Sequence, residues 1–475
     1  MFKWIEPEEK KLHPLTHPQK RVWYTEQITP GTGMFNIGGI CRIKGEIDPD
    51  IMEKAVLMMM NRNPSMRLKV INLNGEPKQY VRDIEEFSLP YIDFSDNADP
   101  TDAAYQWMEK ETKVPFENGE NFKTVLIKVA QDDYYYYQKC HHIISDGWSY
   151  ALLKEQLEDC YNRCAAGEPD SEELPPSYLQ VIDDEEEYKE SKKFKRNRKF
   201  WMEKFDDIKE AVNLSPKVVS SNESKGRRHT LIVDSKTNER LNNFINENRS
   251  SVYSFFMAVL YTYIYRFTGE RDITIGTPVL NRSGARQKNT FGMFVSTMPF
   301  RTSVDENLTF LEFLKMIMKE QRRYYRNQRY PMDLLVKDLD LAQQGNNKLF
   351  EISLSYQNST YEQSFAGHDM ELAWTFNGYE ENSLTIHIND RMGRGELDID
   401  FDYALDAFDH EHIEKMSEHF INITNLVLDD PQLKLFEIDY MAEDELDKII
   451  YQWNQTQVDY PEDKCVYQLF EEQVE

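Results

Sequence analysis

This chain is poor in thiols. It has five cysteines in 475 residues, Cys41, Cys140, Cys160, Cys164 and Cys465, scattered along its length. They read as reduced thiols of a cytoplasmic protein and not as a disulfide framework. Cys160 and Cys164 stand one helical turn apart, but no nearby Cys or His completes a zinc set, so the sequence points to no metal. Positive charge is also short. Lys and Arg number 56 against 83 Asp and Glu, a net charge of −27. That argues against nucleic acid as a partner, because neutralising phosphates needs a basic face. No apolar run reaches membrane-spanning length, and the opening MFKWIEPEEKK is not a signal peptide. No internal repeat is evident.

What is present suffices for large cores. Hydrophobic residues make up 40% of the chain, aromatic residues 13% and charged residues 29%. The length exceeds what one compact core holds and suits two lobes of about 200 residues. Residues 38–43 (GGICRI) predict a strand. Asp48-Pro49 then predicts a helix start, Asp as N-cap and Pro in the first turn, with the Met-rich run IMEKAVLMMM filling a core up to Asn61. Residues 122–130 and 134–140 predict a hairpin. A helix follows Gly147 to about Ala166, with Leu153, Leu157, Cys160, Tyr161 and Cys164 on one face. The Gly/Pro/Glu-rich stretch GEPDSEELPPS marks a lobe boundary. DDEEEYKESKKFKRNRKFWMEKF reads as one solvated helix, acidic at its head and basic further on. The almost uniformly apolar 252–267 must be a buried helix. Strands are expected at 272–279, 350–356 and 384–388, and a late helix at 409–428. Strands and helices mix in both halves, so the class is α/β or α+β.

The most informative residues are His141-His142-Ile143-Ile144-Ser145-Asp146-Gly147. Two histidines leave an aromatic strand, YYYYQKC, and Asp-Gly follows before a helix. Imidazole is a proton-transfer group suited to neutral pH. Neighbouring strand residues face opposite ways, so His141 and His142 cannot share one task. Asp146 and Gly147 permit a tight turn, with Gly free to adopt positive φ. Ser145 reads as a turn residue, Cys140 as structural, and Trp23 and Trp148 as packing.

HHIISDG resembles the HHxxxDG signature of condensation domains in nonribosomal peptide synthetases, a superfamily that includes chloramphenicol acetyltransferase. Further segments extend the resemblance over about residues 12–450. LTHPQKRVWYTE matches the opening motif through Gln19, Arg21 and Trp23. NRNPSMRLKV matches the arginine motif through Arg62 and Arg67, with Asn63-Pro64 in place of His-Glu. FGMFVSTMPFR carries Ser296 where Asn is commoner, RNQRYPMDLL carries Asn327 where His is expected, and LFEISLSYQN matches a late strand. The resemblance implies two chloramphenicol acetyltransferase-like lobes, a V-shaped pseudo-dimer with a tunnel between them. On that basis 1–175 is the N-terminal lobe and 176–455 the C-terminal lobe. Residues 456–475 are similar to a linker and the start of an adenylation domain.

The resemblance also implies the chemistry. An amine attacks a thioester, giving an amide and a free thiol, with His142 accepting the ammonium proton, or orienting the amine and stabilising charge in the tetrahedral intermediate, and the Gly147 backbone open to the substrate. No Ser or Cys nucleophile is required. His141, Asp146, Arg62 and Arg67 support the loop, and Asp146 is expected to pair with Arg62, or failing that Arg67. The opening motif, the NxxMRL form of the arginine motif and SLSYQN are similar to the starter subgroup, which N-acylates a first amino acid. A start at Met1 with no carrier upstream fits that subgroup. The donor implied is fatty acyl-CoA. The acceptor is an amino acid on the phosphopantetheine of a downstream carrier, and nothing is bound covalently. Met293, Phe294, Ser296, Tyr356 and Asn358 are candidates for the tunnel, and Arg322, Arg323 and Arg329 for the CoA phosphates. The expected partners are the adenylation and carrier domains of the same synthetase, and the isolated domain is expected to be monomeric. Competing readings are an ordinary condensation or epimerisation domain, a standalone acyltransferase and a catalytically silent docking domain. A heterocyclisation domain would have Asp at the place of His141.

Overall fold

A computed structural model of the chain describes residues 1–217, 225–341, 348–357, 363–390, 395–457, 459 and 464–474. In the first half the strands of the main sheet are β1 (Asn36–Lys44), β2 (Tyr91–Asp93), β3 (Phe122–Ala130) and β4 (Asp133–His141). The second half supplies β5 (Gly226–Val233), β6 (Asp272–Val279), β7 (Ser296–Ser303), β8 (Ile352–Gln357), β9 (Ser364–Phe365), β10 (His368–Thr375), β11 (Leu384–Asn389) and β12 (Leu397–Ala404). Two six-stranded sheets result, one ordered β9-β10-β1-β4-β3-β2 and the other β5-β12-β11-β8-β6-β7. β9 and β10 come from the second half of the chain but extend the first sheet, so the lobes are stitched together by strand pairing.

The helices that frame the site are α1 (His17–Ile28), α2 (Pro49–Arg62), α3 (Pro100–Lys113), α4 (Gly147–Ala166), α5 (Leu179–Lys189), α6 (Lys192–Lys204), α7 (Val252–Thr268), α8 (Phe310–Asn327) and α9 (His410–Asp429). The Asp48 side chain caps α2, and Pro49 occupies its first turn, as the sequence requires. Met52, Met59 and Met60 are fully buried beneath it. The aromatic run of β4 serves two cores at once. Tyr134 and Tyr136 face the core under α2 and α4, while Tyr135 and Tyr137 face a second one with Ala104 and Met108 of α3. A strand covered on both faces needs no polar alternation. α7 lies inside the second lobe, with twelve of its residues buried from Ser254 to Tyr265.

One element departs from expectation. The charged stretch after the boundary is not a single solvated helix. It breaks at Glu190-Ser191, where Ser191 caps α6, and Trp201 of α6 is buried in the core of the second lobe. The charge gradient described the exposed face, and the aromatic residues decided the packing.

Candidate active site

The strand β4 ends at His141, so His142 falls in the turn that follows. Its backbone N–H donates to the Phe35 carbonyl at 2.8 Å, and the His141 N–H donates to Asn121 O at 2.8 Å. Gln19 of α1 braces the same turn, its Nε2 donating to Ile143 O at 2.9 Å. Thr16 and Gln19 form a reciprocal cap that fixes the start of α1, which explains the polar pair in the opening motif.

The two histidines have different surroundings. His141 is buried, with Nε2 2.8 Å from Glu26 Oε1 and Nδ1 accepting the Ile143 N–H at 3.1 Å. Both ring nitrogens are committed. His142 is half-buried and its Nδ1 lies 2.9 Å from Ser145 O. A carbonyl only accepts, so Nδ1 carries the proton and Nε2 keeps the lone pair. Burial first, and then the Arg21 cation, pull the His142 imidazole down to about 4. It is neutral at physiological pH. Burial pushes the Cys140 thiol up to about 12, which removes it as a nucleophile. Ser145 is buried and its hydroxyl donates to His141 O at 3.2 Å, a turn bond.

Asp146 caps α4 in extended geometry, φ −132°, and is completely buried. Its partner is Arg282, whose Nη2 lies 2.8 and 3.0 Å from the two carboxylate oxygens. The Ser149 N–H and hydroxyl and the Phe294 N–H complete the shell. This corrects the expected pairing. Arg62 instead reaches Asp159 and Asp170, and Arg67 reaches Arg82 O and Asp83. Both stand at or just beyond the end of α2, where their side chains tie local segments together. Arg282 also donates to Gln287 O, Thr290 O and Gly292 O, so it pins segment 281–294 of the second half against the histidine turn. Gly147 departs from expectation too. It is an ordinary first residue of α4 without positive φ. An added Cβ there would meet only Gln357 Oε1, at 3.7 Å. Its lack of a side chain keeps space open opposite β8.

His142 lines a cavity of about 600 Å³ between the lobes. The first lobe contributes Arg21, Met34, Phe35 and Ile37, and Arg21 spans the gap to Glu381 at 2.7 Å. The far wall is polar, formed by Arg228 and Thr230 of β5 and by Asp398, Asp400 and Asp402 of β12. Burial and then the nearby Asp402 carboxylate hold Glu380, another wall residue, up at about 8. Leu372, Ala373 and Trp374 of β10 form a wall shared with a smaller apolar pocket of about 40 Å³, which runs under α4 past Leu153 and Leu157.

The candidate tunnel residues divide. Met293, Phe294 and Ser296 line a separate cavity beside α1 and α5, and Arg21 lines both that cavity and the His142 one. Tyr356 stacks with Tyr253 and donates to Asp390, while its neighbour Gln357 is the one that lines the His142 cavity. Asn358 lies outside the described residues. The arginines do not form one phosphate cradle. Arg323 pairs with Glu320, Arg329 lies over the Tyr188 ring, and Arg322 lines a different cavity with Tyr253 and Tyr325. Trp148 donates to Lys288 O and Trp23 packs on the first core, both structural.

Sequence reasoning passed over Arg282 and the acidic strand. LDIDFDYA alternates strictly, so β12 and its three cavity-facing aspartates were legible by period alone. Nothing local distinguishes Arg282 from other arginines, because its partner is 136 residues away.

The condensation-domain family model matches residues 9–450. Surfactin synthase subunit 1 of Bacillus subtilis is 32% identical over 98% of this chain and 13% of its own length. A plipastatin synthase of the same organism is 32% identical over 97% of this chain and 18% of its own length. The chain thus spans under a fifth of these relatives. Among solved structures, the starter condensation domain of rhizomide synthetase RzmA in complex with C8-CoA superposes with a TM-score of 0.81 at 24% identity, covering 90% of this chain and 97% of that one. The first condensation domain of the calcium-dependent antibiotic synthetase gives 0.81 at 20%, covering 91% and 99%. These likenesses fix the two-lobe, chloramphenicol acetyltransferase-like fold. With its histidine turn set in a cavity between two mixed sheets, the chain belongs to the condensation-domain family of nonribosomal peptide synthetases.

Proposed function

We propose that the chain is a starter condensation domain, which transfers a fatty acyl group from acyl-CoA to the amine of a carrier-bound amino acid. The observation that carries the chemistry is the neutral His142 in the inter-lobe cavity, its Nδ1 proton engaged by Ser145 and its Nε2 lone pair left over. An α-amino group titrates near 8, so a base at about 4 takes a proton from a bound ammonium only at about a 10⁴-fold disadvantage. The amine therefore reaches the site neutral. His142 accepts its N–H as a hydrogen bond and takes the proton once the C–N bond forms and the nitrogen becomes acidic; collapse of the tetrahedral intermediate breaks the C–S bond, and the proton passes to the departing sulfur, so CoA leaves as the free thiol. Arg21 supplies positive potential in the same cavity for the oxyanion. Asp146, Arg282 and Gln19 hold the turn that carries His142.

The starter reading is supported by the starter-like motifs, by the apolar pocket that adjoins the cavity at Trp374, and by the RzmA starter domain among the structural neighbours. The polar far wall favours a second reading, an ordinary condensation domain with a carrier-bound aminoacyl or peptidyl donor. One experiment separates them. The same octanoyl group is offered on CoA and on an isolated carrier protein, and the acceptor carrier is followed by mass spectrometry. Transfer from CoA supports the starter reading, and exclusive use of a carrier-bound donor rejects it.

A further inference from the structure

The face of the second sheet turned away from the cavity holds a cluster that amide formation does not use. β5 and β12 pair antiparallel, Arg228 opposite Asp402 and His229 opposite Phe401. Side chains alternate along a strand. Arg228, Thr230, Asp400 and Asp402 line the cavity, so His229 and Tyr403 stand on the other face, beneath α9. There the His229 and His410 rings meet edge to face with centroids 5.5 Å apart. Glu414, one turn after His410, brings Oε1 to 3.3 Å from His410 Nε2. Among the described residues this is the one group of three His, Cys, Asp or Glu whose ligand atoms all lie within 4.8 Å of one another.

The surrounding hydrogen bonds suit metal ligation. Ser417 Oγ has one proton and gives it to Glu414 O at 2.7 Å. Its 3.1 Å contact with His229 Nε2 therefore runs from Nε2–H to Oγ, which leaves the lone pair on Nδ1. The Tyr403 hydroxyl lies 3.2 Å from His410 Nδ1 and can accept its proton, which frees Nε2 toward Glu414. Outer partners of this kind set the tautomer and ring orientation of ligating imidazoles.

We propose that His229, His410 and Glu414 form a binding site for a zinc-like divalent ion, with water completing the shell. Two imidazoles and one carboxylate suit zinc, cobalt or nickel better than magnesium or calcium, which take oxygen ligands. A tetrahedral ion with ligands at about 2.0–2.2 Å sets those atoms about 3.3–3.6 Å apart, so side-chain movements of about 1–1.5 Å close separations that reach at most 4.8 Å. The ion clasps β5, an edge strand whose neighbour in the sheet is β12, to the first turns of α9.

The test uses the chain without a polyhistidine tag, stripped with a chelator. Zn²⁺ is titrated by calorimetry, Co²⁺ by visible absorption, and thermal unfolding is recorded with and without Zn²⁺. The expected result is one bound equivalent and a raised unfolding midpoint, with affinity falling about tenfold or more in His410→Ala and in Glu414→Gln. His412→Ala, on the same helix but outside the cluster, should bind like the parent chain. Circular dichroism checks the fold of each variant, and the two cluster variants report independently. Absence of binding by the parent chain, or equal affinity and equal thermal shift in parent, His410→Ala and Glu414→Gln, overturns the site.

Discussion

The histidine turn and the end of α2 are both held by arginine–carboxylate pairs, but they meet water differently. Around the turn, Arg282 and Asp146 are sealed, with side chains 1% and 0% exposed. At the end of α2, Arg62 is buried while its partners Asp159 and Asp170 are 46% and 38% exposed. In the sealed pair each charge depends on the other for solvation, so losing one strands its partner. In the open pairs water takes the place of a missing partner at small cost. The sealed pair also joins residues from the two halves of the chain, and the open ones connect α2 to α4 and the loop that follows it. Rigidity is thus concentrated behind His142.

The largest expected effect lies in the turn. His142→Ala should lower acyl transfer to an aminoacyl carrier by about 10²–10⁴-fold with the thermal midpoint nearly unchanged. His141→Ala should do the reverse, a milder loss of rate and a larger loss of stability, because its bond to Glu26 goes. Near-parental turnover in folded His142→Ala would remove it from the mechanism. Next comes the sealed pair. Arg282→Ala should cost about 3–5 kcal/mol in denaturant unfolding, and the Asp146→Asn, Arg282→Ala double variant should lose less than the sum of the singles. Strict additivity would mean that the pair does not act as one unit.

Arg62→Ala should cost only about 1 kcal/mol, since its carboxylate partners stay hydrated. Combined with Asp146→Asn it should add, within about 0.5 kcal/mol. A strong coupling between those two positions would contradict the geometry. The last expected effect is a slope with pH. His142 titrates at about 4 in the folded chain and near 6.5 when unfolded. Between those values the unfolded chain binds a proton that the folded chain refuses. Stability from this group is therefore full above about pH 6.5, falls as the pH drops, and levels off below about 4. His142→Gln should flatten that segment of the stability profile. An NMR titration placing the His142 ring at 6.5 would show instead that the cavity is well hydrated.

The sequence by itself determined the local elements and the position of the histidine turn. Period and caps were enough for the β3–β4 hairpin, for α2 behind Asp48 and Pro49, for α4 after Gly147 and for the buried α7, because these depend on neighbours within a few residues. HHIISDG marked the turn, and the alternation in LDIDFDYA held the acidic wall for anyone counting by twos. Tertiary structure decided the rest. It divided His141 from His142 by what each ring touches, gave Asp146 to Arg282 rather than Arg62, separated Met293 and Phe294 from the His142 cavity, and returned β9 and β10 to the first sheet. The physical reason is range. Helix and strand patterns are written in contacts a few residues apart. A buried charge or a cavity wall is chosen by whichever group the fold brings within a few ångströms, here across more than a hundred residues.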